Sequence, residues 1–140
     1  MTRLSVMSNL STIESMNVDD ERNLNEAGIH STAQLFEKCS TKASRKSLAK
    51  ETGVPEHFIL RWATILDLER IKGVGMEYAE LLEACGVDTV PELARRNPEH
   101  LFEKINEVNA KISLAKKLPT QKQVADWVDQ AKELPRMIFY

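Results

Sequence analysis

The chain has 140 residues, 42% of them apolar, which is enough for one compact domain or two very small ones. A formal net charge of -2 supplies no overall field to draw the protein to nucleic acid or to an anionic membrane, and two cysteines without CxxC spacing exclude a disulfide scaffold and a zinc site. No stretch has the length of a membrane span and residues 1–9 lack the apolar run of a signal peptide, so a soluble protein of the reducing cytoplasm is expected.

Ala, Leu, Glu and Lys are plentiful and aromatics sparse, which predicts an all-α protein packed through aliphatic side chains. In chain order, a helix over about 4–14 leads into the turn Ser15-Met16-Asn17, then a helix to Ala27 closed by Gly28 as a left-handed cap. Ser31 caps a brief helix carrying Ala33, Leu35 and Phe36, and another begins at Ser44, passes through Leu48 and Ala49 and stops at Gly53. Pro55 stands in the first turn of a long helix whose Phe58, Ile59, Trp62, Ile65, Leu66 and Leu68 form the main apolar surface, and which runs on to Ile71. Gly73-Val74-Gly75 turns the chain into a helix over 76–85, with Ala79, Leu82 and Cys85 inward and Gly86 as its cap. Thr89 caps a short helix at 90–95, and Pro98 opens another carrying Leu101, Phe102, Ile105 and Val108. After a break at Leu118-Pro119, the last helix, 120–134, carries Val124, Trp127, Val128, Ala131 and Leu134. The closing run Pro135-Arg136-Met137-Ile138-Phe139-Tyr140 is conspicuously apolar and is expected to dock onto the body or onto a partner.

The chain repeats itself at an offset of 58 residues: Ile13 matches Ile71, Met16 Val74, Leu24 Leu82, Ala27 Cys85, Gly28 Gly86, Ile29 Val87 and Leu35 Leu93. Further on, Trp62 matches Trp127 at an offset of 65. The copies divide the sequence into units 1–65 and 66–134 with 135–140 as a tail, and their shared helix argues for one continuous body.

Two glycines around one apolar residue allow a turn too tight for side chains, and the next helix then opens with unsatisfied backbone N–H groups that can hold a phosphate. Lys72, Gly73, Val74, Gly75 and Met76 are therefore candidate nucleic-acid-binding residues, although a plain interhelical turn also accounts for the glycines, and Glu77 already stands at the helix start as a favourable dipole partner. Lys42, Arg45, Lys46 and Lys50 share one side of a helix, and Lys111, Lys116, Lys117 and Lys122 form a second basic cluster. Both groups read either as solvated polar faces or as phosphate contacts. In the first copy Ser15 and Asn17 replace the glycines and Asp19, Asp20 and Glu21 follow, a set that would repel phosphate. Trp62, Trp127, Cys39 and Cys85 read as core. His30, His57 and His100 show no ligand spacing, and no nucleotide-binding glycine loop is present, so no enzyme, metal or cofactor is expected.

Ser47-Leu48-Ala49-Lys50-Glu51-Thr52-Gly53-Val54, Leu60-Arg61-Trp62, Ile71-Lys72-Gly73-Val74-Gly75, Tyr78-Ala79-Glu80-Leu81-Leu82 and the run from Gly86 to Pro98 resemble a bacterial family of tandem helix-hairpin-helix proteins catalogued as a domain of unknown function. With Leu118-Pro119, Val124, Trp127 and Ala131-Lys132-Glu133-Leu134 the likeness spans nearly the whole chain. It implies two SAM-like helix-hairpin-helix units packed into one body. Related domains of DNA-repair and recombinase proteins mostly bind DNA backbone without reading sequence, so the resemblance implies weak, sequence-independent binding of DNA or RNA backbone. The chain departs from the wider motif at Met76, where proline is common, and at Glu77 and Tyr78, where small or basic residues stand in good DNA binders. The alternative expectation is a protein-interaction scaffold that has lost phosphate binding and captures a partner, or itself, through Met137, Ile138, Phe139 and Tyr140.

Overall fold

The computed structural model describes residues 9–140, and among these the protein is all-α, with no strand beyond a single bridge pairing Asn9 with Ser31. Eight α-helices follow one 3-10 turn at Leu10–Thr12: α1 (Val18–Glu26), α2 (Thr32–Lys38), α3 (Lys42–Thr52), α4 (Glu56–Leu68), α5 (Met76–Ala84), α6 (Val90–Leu93), α7 (Pro98–Ile112) and α8 (Gln121–Glu133). The chain forms two compact units, one ending at Leu66 and including Met137–Tyr140, the other Asp67–Arg136. Of the helix expected over 4–14, residues 4–8 lie outside the described residues, and the remainder holds only the 3-10 turn.

Each unit has the same opening. The nine-residue helices α1 and α5 end alike, with Gly28 at φ +90° and Gly86 at φ +89°. Ile29 N–H donates to the Leu24 carbonyl at 2.9 Å and Gly28 N–H to Asn25 at 3.0 Å, matched by Val87 to Leu82 at 3.1 Å and Gly86 to Glu83 at 3.0 Å. This double bond pattern satisfies carbonyls that would otherwise be orphaned, and it needs a left-handed residue that glycine adopts without a Cβ penalty. The thirteen-residue helices α4 and α8 bury Trp62 and Trp127 at matching positions. In the first unit Leu10, Ile13, Leu24, Leu35, Phe36, Leu48, Ile59 and Trp62 form the core; in the second Leu68, Ile71, Leu82, Leu93, Leu101, Ile105, Val124 and Trp127 do so.

Three expected boundaries move for local reasons. α3 begins at Lys42, not Ser44, because Thr41 is its cap: the Thr41 hydroxyl accepts from Ser44 N–H at 3.1 Å while Ser44 Oγ accepts from Thr41 N–H at 3.2 Å, a reciprocal capping box. α4 stops at Leu68 and does not run to Ile71, since Arg70 and Ile71 donate to carbonyls only three residues back, at Asp67 and Leu68, tightening the chain into turns. α6 is a single turn ending at Leu93, with Arg95 and Arg96 N–H bonded back to Glu92 and Leu93. Phe58, placed by periodicity on the apolar surface of α4, is 37% exposed and stacks its ring at 6.2 Å from that of Trp62.

Candidate nucleic-acid interface

The turn between α4 and α5 is anchored by its apolar residues: Ile71 and Val74 are buried, and Val74 N–H donates to the Ile71 carbonyl at 3.0 Å. Between them Lys72 is exposed, but its backbone is bracketed by one side chain, Gln130 of α8. Lys72 N–H donates to Gln130 Oε1 at 2.9 Å and Gln130 Nε2 donates to the Lys72 carbonyl at 3.0 Å and to Asp126 Oδ2 at 2.8 Å. The two glycines differ in kind. Gly73 has φ +93°, and a Cβ there would lie 3.2 Å from Trp127 Nε1, whereas Gly75 has φ -83° with nothing near a Cβ. Gly73→Ala should therefore lose about 1–2 kcal/mol to left-handed strain before the contact with Trp127 is counted. Gly75→Ala should stay within about 0.5 kcal/mol of the parent, since chain-entropy gain and weaker capping oppose each other. Urea unfolding of the two variants distinguishes these effects.

Gly75 is the N-cap of α5 and offers no side chain to cap the first N–H groups of that helix. The connection from α7 to α8 lies against this first turn. Tyr78 Oη donates to the Lys117 carbonyl at 2.7 Å, and Lys116 N–H reaches Glu77 Oε1 at 3.4 Å. Burial, and secondarily the Glu77 charge, push the Tyr78 hydroxyl above its ordinary pKa, so it remains a donor at neutral pH. Asn109 holds the same connection by bracketing Ala115, its Oδ1 accepting from Ala115 N–H and its Nδ2 donating to the Ala115 carbonyl, both at 2.9 Å. The exposed residues Lys116 and Lys117 are thus carried on an ordered segment that touches Glu77 and Tyr78, while Lys72 precedes the same helix in the chain.

The first unit has no counterpart to this open helix start. Asn17 caps α1 with its own side chain, accepting from Asp20 N–H at 2.7 Å, and Asp19, Asp20 and Glu21 fill the first turn. Burial, and secondarily the neighbouring Asp19 charge, push the Asp20 carboxyl above its usual range. Of the basic group on α3, Lys42 and Lys46 are exposed as expected. Arg45 is not: it is 2% exposed, with Nη1 donating to the Cys39 carbonyl at 2.8 Å and Nη2 to the Phe139 carbonyl at 2.7 Å. A spacing of three places it with Leu48 on the buried stripe of α3, so periodicity groups it with the lysines while packing withdraws it from them.

Among the described residues no group of three or more His, Cys, Asp or Glu side chains could hold a metal ion, and no helix is long and apolar enough to cross a membrane. Burial pushes the Cys39 thiol up to about 12 and that of Cys85 to about 11, so neither supplies a thiolate at neutral pH. Sequence reasoning missed Gln130 and Asn109 as the residues that hold the two lysine-bearing segments; their partners lie 58 and 6 residues away, and nothing in helical periodicity marks them. Lys116 and Lys117 were legible only as part of a basic cluster.

These features define an all-α protein of two similarly opened helical units, the second with an uncapped helix start bordered by lysines. The chain belongs to the family described as Domain of unknown function (DUF4332), whose model matches residues 14–134. No curated protein and no solved structure matches it.

Proposed function

We propose that the protein is a non-enzymatic, cytoplasmic binding module of tandem helix-hairpin-helix type, whose second unit holds the phosphate backbone of DNA or RNA without reading base sequence. The observation that carries this reading is the start of α5, where Gly75 leaves the backbone N–H groups without a side-chain cap and Lys72 and Lys117 border the opening. Helix dipole, free donors and flexible ammonium groups together suit a phosphate. Glu77 opposes it, which fits weak binding. Lys42 and Lys46 on α3 add an exposed basic face in the other unit, and Arg45 is removed from that set by its burial.

Fluorescence anisotropy of labelled single- and double-stranded DNA at low and physiological salt tests the proposal. Binding should weaken steeply with salt, and Lys72→Glu or Lys117→Glu should each lower the slope of log affinity against log salt by about one. Gly75→Asp, which caps the helix and adds a negative charge, should abolish binding with helical content unchanged. No binding at low salt, or equal binding by Gly75→Asp, would remove this turn from the function. The second reading, a protein-interaction scaffold, is favoured by the exposed Met137, Phe139 and Tyr140 side chains.

A further inference from the structure

Residues 111–123 combine clustered positive charge with uncovered apolar surface. They contain four lysines and no carboxylate, and Lys111, Lys116, Lys117 and Lys122 are all exposed. Ile112 and Leu118, standing among them, are 48% and 41% exposed. Ile112 continues the stripe of α7 that buries Leu101 and Ile105, so the stripe runs past the core it packs against. The lysines of α3 have no such company, since Leu48 beside them is buried.

The segment is held in shape from within the second unit. Ser113 takes a left-handed conformation at φ +50°, and the chain folds back over the end of α7, where Asn109 brackets Ala115. Tyr78 then holds the Lys117 carbonyl, and Ala115 and Pro119 are buried on either side of the exposed run Lys116-Lys117-Leu118. All these lysines and both aliphatic residues belong to the end of α7, the connection or the first turn of α8, so they gather at one end of the unit.

We infer that this connection is a peripheral docking segment for an anionic lipid surface, with the lysines at the headgroup phosphates and Ile112 and Leu118 entering the boundary with the acyl chains. Charge complementarity and the choice of side chains select this partner. A nucleic-acid backbone would engage the lysines but leave both aliphatic groups in water. Protein interfaces favour arginine and aromatic residues and are depleted in lysine, whereas residues 111–123 have only lysine for charge and no aromatic ring. An anionic bilayer takes flexible ammonium groups and aliphatic side chains together and asks no fixed geometry of either. The Glu77 carboxylate, which reaches Lys116 N–H at 3.4 Å, limits the attraction and keeps the docking reversible. Ile112 and Leu118 have no part in phosphate binding at the start of α5, which separates the two readings.

Cosedimentation of the full chain with vesicles tests the inference. Vesicles of phosphatidylcholine containing about one-third phosphatidylserine should bind the chain at low salt, and vesicles of phosphatidylcholine alone should not. Lys116→Gln and Lys117→Gln should each weaken partitioning about fivefold. Ile112→Ser with Leu118→Ser should weaken it at least about tenfold while leaving any binding to duplex DNA at the wild-type level. Lys42→Gln with Lys46→Gln, which removes charge from α3, should change it by less than about twofold. Absence of binding to the mixed vesicles, full binding by the serine pair, or a loss from the α3 pair equal to that from Lys116→Gln with Lys117→Gln would overturn the inference. So would a folded serine pair that loses DNA binding together with vesicle binding, which assigns the segment to nucleic acid. A chain that binds the mixed vesicles but not DNA upholds the lipid surface and refutes the phosphate site at α5. Should the serine pair lose helicity, Leu118→Ala decides instead: a loss of about threefold is expected, and unchanged partitioning overturns the segment.

Discussion

Replacing Asp67 by alanine should cost about 3–5 kcal/mol, the loss typical of a buried ion pair deprived of one partner. Asp67 is fully buried and both its oxygens are engaged: Oδ1 accepts from Arg70 Nη1 at 2.7 Å and Oδ2 from Val90 N–H at 2.8 Å. Arg70, its side chain only 10% exposed, passes the connection on to the Pro135 carbonyl. One carboxylate thus caps α6, which has no side-chain cap of its own from Thr89, and holds Arg70, which in turn bonds Pro135 near the other end of the segment 67–136. Alanine would strand the Val90 donor and leave the guanidinium paired to a carbonyl alone. Asp67→Asn keeps the volume and an acceptor, so its cost should be smaller, about 1–3 kcal/mol. Urea unfolding of both variants measures this; a loss below about 1 kcal/mol for Asp67→Ala would mean that water satisfies both donors.

Trp127→Ala should cost a similar amount, about 3–5 kcal/mol, through loss of buried area and the cavity left behind. The indole is 2% exposed, stands beneath Gly73 and meets the Tyr78 ring at a centroid separation of 5.3 Å. The effect should reach beyond stability. Trp127 supports the turn from below as Gln130 holds it from the side, and Tyr78 carries the bond to Lys117. If the second unit binds nucleic acid, Trp127→Ala should weaken binding under conditions where circular dichroism still reports a folded chain, whereas Trp62→Ala in the other unit should lower stability with a smaller effect on binding. Combined unfolding and anisotropy titrations separate the two.

Much of the architecture follows from short-range patterns. The cap residues Ser31 and Thr120, the proline at the first position of α7, the left-handed Gly28 and Gly86, and the two buried tryptophans are all readable because each depends on neighbours within one or two helical turns. Phe58 was misplaced because periodicity assigns a face without saying how far the opposing surface extends. Arg45 was misplaced because its hydrogen-bond acceptors lie outside its own helix, one of them 94 residues away. The same limit hides the Asp67 network, whose acceptor and donor are 23 residues apart at Val90, and the Gln130 bracket.

By itself the sequence determined the helical class, the doubled pattern and the helix-stopping residues, since apolar period, capping side chains and backbone freedom act over a few residues. Only the tertiary structure decided which polar groups became interior: that Asp67 caps a distant helix, that Gln130 and Asn109 hold the lysine-bearing segments, and that a buried Arg45 donates to the Phe139 carbonyl. A buried polar group is stable only where its partner arrives, and that arrival is set by the packing of whole helices, not by the spacing of residues along one.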